Sequence, residues 1–80
     1  MDTVEYTIRP TKHFIFGWMK KWDYDIELLR TALETAYKIE KVGKIKYEAY
    51  FRAKGKSRKL IFVKDDVAKD IIIITGAEGK

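Results

Sequence analysis

The sequence predicts an α+β domain in which two helices pack on one face of a curved antiparallel sheet, in the order strand, helix, helix and then three or four strands. Three observations carry that expectation. In residues 45–54, Ile45, Tyr47, Ala49, Phe51 and Ala53 alternate with Lys46, Glu48, Tyr50, Arg52 and Lys54, the period of two of a half-buried strand. Two segments, 12–22 and 26–37, instead repeat their apolar residues at helical spacing. The last third holds the unbroken apolar runs Leu60–Val63 and Ile71–Ile74, which read as central strands, the first of them covered on both sides. Strands joined by short turns pair as antiparallel neighbours.

From the N-terminus, residues 3–9 alternate with Val4, Tyr6 and Ile8 on one face, a strand that Pro10 ends. Thr11 is placed to cap a short helix over 12–22, whose Phe14, Ile15, Trp18, Met19 and Trp22 cover an arc of about 140° when set at about 100° per residue. Phe16 falls about 60° outside that arc, as an extension of the core or an exposed residue. Asp23 and Asp25 bracket a turn, and either suits the start of the next helix. That helix, about Ile26 to Tyr37, gathers Ile26, Leu29, Ala32, Leu33, Ala36 and Tyr37 on one face and leaves Glu27, Arg30, Glu34 and Lys38 as a solvated back. Residues 39–42 form a weaker strand, joined by a tight hairpin through Gly43 and Lys44 to the strand at 45–54. Gly55, Lys56 and Ser57 make a basic turn, KDDVAK is a polar connection, and TGAEGK reads as a fraying tail.

Length and composition bound what the domain can be. Eighty residues allow one domain, spanning 1–80, and a chain of this size buries only about 60–65% of the surface its unfolded form exposes. Cysteine is absent, so neither a disulfide nor a thiolate zinc site contributes. No apolar run approaches the ~20 residues of a membrane span and the N-terminus lacks the regions of a signal peptide, so a cytoplasmic protein away from membranes is expected. Asn and Gln are also absent while Lys, Glu and Ile are abundant, a bias that fits a thermophile. The net charge of +5 is unevenly spread: between Lys38 and Lys64 ten basic residues face only Glu40 and Glu48, and the remainder is net acidic. Such asymmetry suits attraction of a polyanion; the plainer alternative is a lysine-rich solubilising surface.

Few residues could carry chemistry. His13 is the single histidine, which excludes a two-histidine acid/base pair and a His/Cys zinc cluster; at a helix start it caps or packs more readily than it reacts or binds phosphate. Asp65, Asp66 and Asp70 have the spacing of no calcium loop, GAEGK lacks the remaining residues of a phosphate-binding loop, and Ser57, the one serine, sits in no nucleophile motif. No metal and no cofactor are expected. What remains is the strand face Lys46, Glu48, Tyr50, Arg52 and Lys54 with the adjoining Lys56, Arg58 and Lys59: cations for phosphate and Tyr50 as a stacking surface for a base. Metal-free cleavage of RNA would further require an acceptor for the 2′-hydroxyl proton and a donor to the leaving oxygen, for which Glu48, Tyr50 and His13 are the candidates, with Arg52 or Arg58 stabilising the charged transition state. A basic open sheet face equally suits an acidic protein partner or the protection of a sheet edge.

His13 opening a short helix, the DYDIELLRTAL helix, the basic YFRAKGKSRKLIFV hairpin and the final IIIIT strand together resemble a small domain family related to the BrnT- and RelE-type toxins, over about residues 4–76. The resemblance implies a two-helix, antiparallel-sheet fold, mRNA interferase activity on free or ribosome-bound message, and an antitoxin as partner. It also implies that His13 is the family's helix-opening histidine, Lys21 a basic position further along the helix, and Arg58 the basic residue leading into the penultimate strand. Gly17 stands where these relatives often carry Arg, and TGAEGK lacks the Arg and Tyr that active interferases tend to place after the last strand. A relative that binds RNA or a protein without cutting is therefore consistent with the same residues. The expectation is a nucleic-acid-interacting domain, in its sharpest form an RNase toxin, with His13, Glu48 and Tyr50 for proton transfer and Lys46, Arg52, Lys54, Arg58 and Lys59 for phosphate. The alternative is a non-enzymatic interaction module, such as a homodimer joined through an edge strand or through Phe16.

Overall fold

A computed structural model describes residues 1–79. Five strands, β1 (Thr7–Pro10), β2 (Lys38–Lys41), β3 (Lys46–Ala53), β4 (Lys56–Asp65) and β5 (Asp70–Glu78), form one sheet in the order β1-β5-β4-β3-β2. The four later strands are antiparallel neighbours, but β1 runs parallel to β5, so the sheet is mixed rather than wholly antiparallel. The helices carry the chain from β1 at one edge to β2 at the other, and β1 is joined to its parallel partner β5 through the helices and β2–β4, well beyond the long connection that parallel pairing requires. Helix α1 consists of three consecutive pieces, Lys12–Phe14, a π-helical turn Ile15–Met19, and Lys20–Trp22; α2 is Ile26–Glu34. No helix among the described residues is long and apolar enough to cross a membrane.

Local chemistry sets the helix boundaries. The Thr11 hydroxyl accepts from the Phe14 N–H at 3.2 Å, and Asp25 accepts from the Leu28 N–H at 2.8 Å, each satisfying a donor that a helix start leaves free. Of the two aspartates, Asp25 caps α2 while Asp23 turns the chain in the left-handed region, with φ of 57°. Helix α2 ends before Tyr37, whose N–H bonds the Tyr50 carbonyl at 2.9 Å and so joins the sheet ladder. In α1 the Lys20 N–H reaches the Ile15 carbonyl five residues back, and the wider turn leaves less of the predicted arc inside. Phe14 and Trp22 are buried, Trp18 and Met19 half-buried, and Ile15 and Phe16 exposed.

One face of the sheet carries the core. Ile8, Ala49, Phe51, Leu60, Phe62, Ile71 and Ile73 meet Phe14, Trp22, Leu29, Ala32 and Leu33 across it. Strand β4 does lie at the centre of the sheet, but it is covered on one side: Leu60 and Phe62 are buried, whereas Ile61 and Val63 are half-buried on the other face. The N-terminal strand is shorter than its alternation predicts. Residues before Thr7 turn instead, with the Tyr6 N–H on the Thr3 carbonyl at 3.0 Å, so Val4 is 79% exposed and Thr3 fully buried. Arg30 holds that turn, donating to the Thr3 carbonyl and hydroxyl and to the Tyr6 carbonyl; the back of α2 is therefore not simply solvated.

The predicted fraying tail is the second half of β5. Ile61 stands opposite Thr75 and Phe62 opposite Ile73, so Ile74 is the extra residue of a bulge. The bulge turns Gly76 toward the helices, where a Cβ would lie 2.9 Å from Trp22 Cη2, 3.2 Å from the Lys59 carbonyl oxygen and 3.3 Å from Phe14 Cε1. Beyond it the Trp22 indole N–H donates to Glu78 at 3.1 Å, and Lys21 Nζ lies 3.5 Å from the same carboxylate. Gly76→Ala is expected to destabilise the fold by about 1–3 kcal/mol through overpacking, a fall in thermal midpoint of about 4–8 °C for each kcal/mol. Gly79→Ala, whose Cβ would meet nothing closer than 3.6 Å, should leave the midpoint nearly unchanged in the same circular dichroism melt.

Candidate nucleic-acid interface

The alternation of β3 sends Lys46, Glu48, Tyr50 and Arg52 to the sheet face away from the helices. The pairing registers extend it into rows: Lys38, Tyr50, Lys59 and Ala77 in one, Glu40, Glu48, Ile61 and Thr75 in the next, and Arg52 with Ser57 in a third. Tyr50 is at the middle of this surface. Lys38 Nζ and Lys59 Nζ lie 5.3 and 5.8 Å from its ring centroid, and the Tyr37 ring is 6.4 Å away. Tyr37 is itself held by a 2.8 Å contact between its hydroxyl and Ser57 Oγ and carries the Arg52 guanidinium 5.6 Å from its ring centroid. A depression of about 200 Å³ opens here, lined by Tyr50, Ser57, Lys59, Ala77 and Gly79 together with Arg58 and the acidic Glu78. Its lining includes two residues with little or no side chain, which makes room beside the tyrosine.

The charges on this face are partly balanced. Tyr50 donates to Glu48 Oε1 at 2.7 Å, and Lys59 Nζ is 3.6 Å from Glu48 Oε2. The hydrogen bond to Glu48, with a smaller contribution from burial, pushes the Tyr50 hydroxyl up to about 12. The same bond, together with Lys59, holds the Glu48 carboxyl below the usual carboxylate range against the opposing effect of burial. Lys38 pairs with Glu40 at 3.0 Å. Among the described residues no carboxylate lies within salt-bridge distance of Lys46, Arg52 or Lys54. Lys54 stands at the tip of the β3–β4 hairpin, where Lys54 and Gly55 have φ of 54° and 76°, the left-handed pair that a two-residue turn of this type demands.

Of the residues singled out in the sequence, Lys46, Glu48, Tyr50, Arg52 and Lys59 share the open face, and Lys54 adjoins it. His13 does not join them. It is exposed at the start of α1 with Nε2 3.5 Å from Thr75 Oγ1, and Thr75 stands two strands from Glu48 along the row. Arg58 is on the other face, opposite Phe51 and Glu78. Only 7% exposed, its guanidinium lies 4.7 Å from the Trp22 ring and 5.6 Å from that of Tyr24, and donates to the Tyr24 hydroxyl at 3.3 Å, while its Nε has no partner among the described residues. Burial leaves it little surface with which to touch a phosphate. Lys21 is also on the helix side, over Trp18 and beside Glu78.

Tyr37 and Lys38 belong to the surface but are assigned to α2 by the sequence pattern. The signal for them is the alternation of Lys38, Ile39, Glu40 and Lys41, which begins within the run that also continues the helical period. No group of three or more metal-ligating side chains occurs among the described residues. Comparison with protein-family models, with curated proteins and with solved structures finds no match to this chain.

Two outcomes test these placements. Because the folded Tyr50 hydroxyl keeps its proton beyond its ordinary value of 10.0, its contribution to stability is present below that pH and is lost as pH rises toward about 12. Glu48→Gln should bring the Tyr50 titration back toward the ordinary value, read from the tyrosine Cζ resonance by carbon NMR, and remove that alkaline loss. Arg58→Met keeps an unbranched stem against Trp22 and removes a buried, unpartnered donor. Its melting midpoint should match or exceed that of the parent; a fall of more than about 8 °C, roughly 1–2 kcal/mol, would show that the guanidinium is a net stabiliser.

Proposed function

We propose that the chain is a RelE/BrnT-like nucleic-acid-interacting domain whose open sheet face takes single-stranded RNA. The observation that carries this reading is the Tyr37–Tyr50 pair set among Lys38, Arg52 and Lys59, with Lys46 and Lys54 without carboxylate partners among the described residues. Unpaired bases stack on aromatic side chains while their phosphates are held by cations, and a duplex keeps its bases from such contact. The element order supports the same reading, since a strand, two helices and an antiparallel meander follow one another as the resemblance to the interferases implies.

Binding without cleavage accords best with the proton-transfer groups. Tyr50 grips its proton and Glu48 is readily kept ionised, so the two satisfy each other: the first is a poor donor to a leaving oxygen and the second a weak acceptor. The one imidazole stands two strands away. In the narrower reading, an RNase toxin held by an antitoxin, bound RNA would have to bridge Glu48 and His13.

The experiment is fluorescence anisotropy with a labelled single-stranded RNA oligonucleotide, followed by electrophoresis of the same RNA. Affinity should fall steeply between about 50 and 200 mM salt, and Arg52→Ala or Lys46→Ala should each flatten that dependence by roughly 0.7 in the log–log slope. Tyr50→Ala should cost about 1–3 kcal/mol of binding with the slope preserved. Absence of binding at low salt, or equal affinity for duplex RNA, would remove the proposal. RNA recovered intact identifies binding alone; fragments that disappear in His13→Ala or Glu48→Gln identify the interferase.

A further inference from the structure

A second surface lies on α1, on the helix side of the sheet and apart from the RNA-binding face proposed above. Lys12, Phe16 and Lys20 follow at four-residue spacing, so they stand about one turn apart along one stripe. Phe16 is 73% exposed. Beside it a groove of about 380 Å³ is lined by Ile15, Phe16, Met19, Lys20, Asp23 and Tyr24. The groove adjoins the π-helical turn Ile15–Met19, a feature that departs from the favoured helical geometry and recurs at functional positions.

A lone exposed phenylalanine needs no explanation. Here it has a neighbouring cavity and a charge pattern. Between Lys12 and Trp22 the chain carries Lys12, His13, Lys20 and Lys21 and no acidic residue. Lys21 is engaged by Glu78, but among the described residues no carboxylate pairs with Lys12 or Lys20. Along the stripe Phe16 thus stands between two cations with no carboxylate partner among the described residues, and Asp23 is the one acidic residue lining the groove beside it. We propose that this stripe is the docking site for an acidic segment of a partner protein, which lays one bulky apolar side chain in the groove beside Phe16 and sets carboxylates against Lys12 and Lys20.

The shape favours a peptide over an anionic membrane. The groove beside Phe16 suits one anchoring side chain, and with Asp23 in its lining it favours an occupant that can set its carboxylates at Lys12 and Lys20 and keep them from Asp23, as a peptide can and a uniformly anionic membrane surface cannot. Trp18, the other large aromatic nearby, packs against Trp22 with its ring centroid 5.3 Å away and carries Lys21 over its face, so it cannot join Phe16 in entering a lipid interface.

The test is selection of a phage-displayed random peptide library on the intact chain, with enriched peptides then measured by anisotropy. They should carry a bulky apolar residue flanked by Asp or Glu. Phe16→Ala should weaken them about tenfold or more, as should the double change Lys12→Glu and Lys20→Glu, whereas Arg52→Ala on the open face should leave them unaffected. Phe16 is exposed, so an unchanged melting midpoint in Phe16→Ala separates lost docking from lost folding. The proposal is overturned by no enrichment, by peptides without acidic residues, or by peptides indifferent to Phe16→Ala. Two results would overturn it in favour of another occupant: a Phe16-dependent dimer in sedimentation, pointing to a second copy, or Phe16-dependent binding to phosphatidylserine vesicles without peptide enrichment.

Discussion

The seating of Trp22 against Gly76 holds the layers of this small domain together. The indole is 5% exposed and lies 6.2 Å from the Phe14 ring, 5.7 Å from Tyr24 and 6.0 Å from Phe51, measured between centroids. It therefore links both ends of α1, the turn into α2 and strand β3, while its N–H holds Glu78 on β5. A chain of eighty residues has room for few such contacts, and edge-on aromatic pairs add about 0.5–1.5 kcal/mol each beyond the area they bury. The arrangement works only because β5 offers no side chain at Gly76.

The same strands divide the molecule into a face that packs against the helices and a face left open. Strand β3 gives Tyr47, Ala49 and Phe51 to the helix side and Glu48, Tyr50 and Arg52 to the other, and β4 repeats the division. The excess of positive charge between Lys38 and Lys64 is consequently not one patch. Lys41 lies over Tyr47, Lys64 over Tyr6 and beside Asp66, and Arg58 is buried. The open face keeps Lys38, Lys46, Arg52 and Lys59, and two of these meet glutamates. The proposal that it takes a single strand rests on tyrosines and cations placed together rather than on charge alone.

Much of this architecture was legible because its signals are periodic. The alternation of 45–54, the helical spacing around Leu29 and Leu33, and the isoleucines of 71–74 identify elements whose burial follows their pattern. The end of β5 was not legible: a core-facing glycine erases the alternation that would mark a strand, and the bulge at Ile74 shifts what remains. The parallel pairing of β1 was hidden because register between distant segments leaves no local trace. At the candidate site, Lys46, Glu48, Tyr50 and Arg52 could be assigned to one face from their spacing. Tyr37 could not, since its period agrees with helix and strand alike, nor could Arg58, because the continuous run Leu60–Val63 conceals which side of β4 faces inward.

Arg58 shows how a residue can bear on the open face without belonging to it. A buried donor without a partner costs about 1–3 kcal/mol, and the carboxylate opposite, Glu78, is turned to the Trp22 N–H and to Lys21. In place of a carboxylate the guanidinium has the rings of Trp22 and Tyr24, whose attraction leaves its charge intact. Arg58 and Glu78 both contribute to the lining of the depression beside Tyr50, so a buried cation and a carboxylate stand there together and their opposed fields largely cancel. The open face therefore draws its positive charge from Lys38, Lys46, Arg52 and Lys59, and Arg58 acts on it by seating β4 against Trp22 and Tyr24.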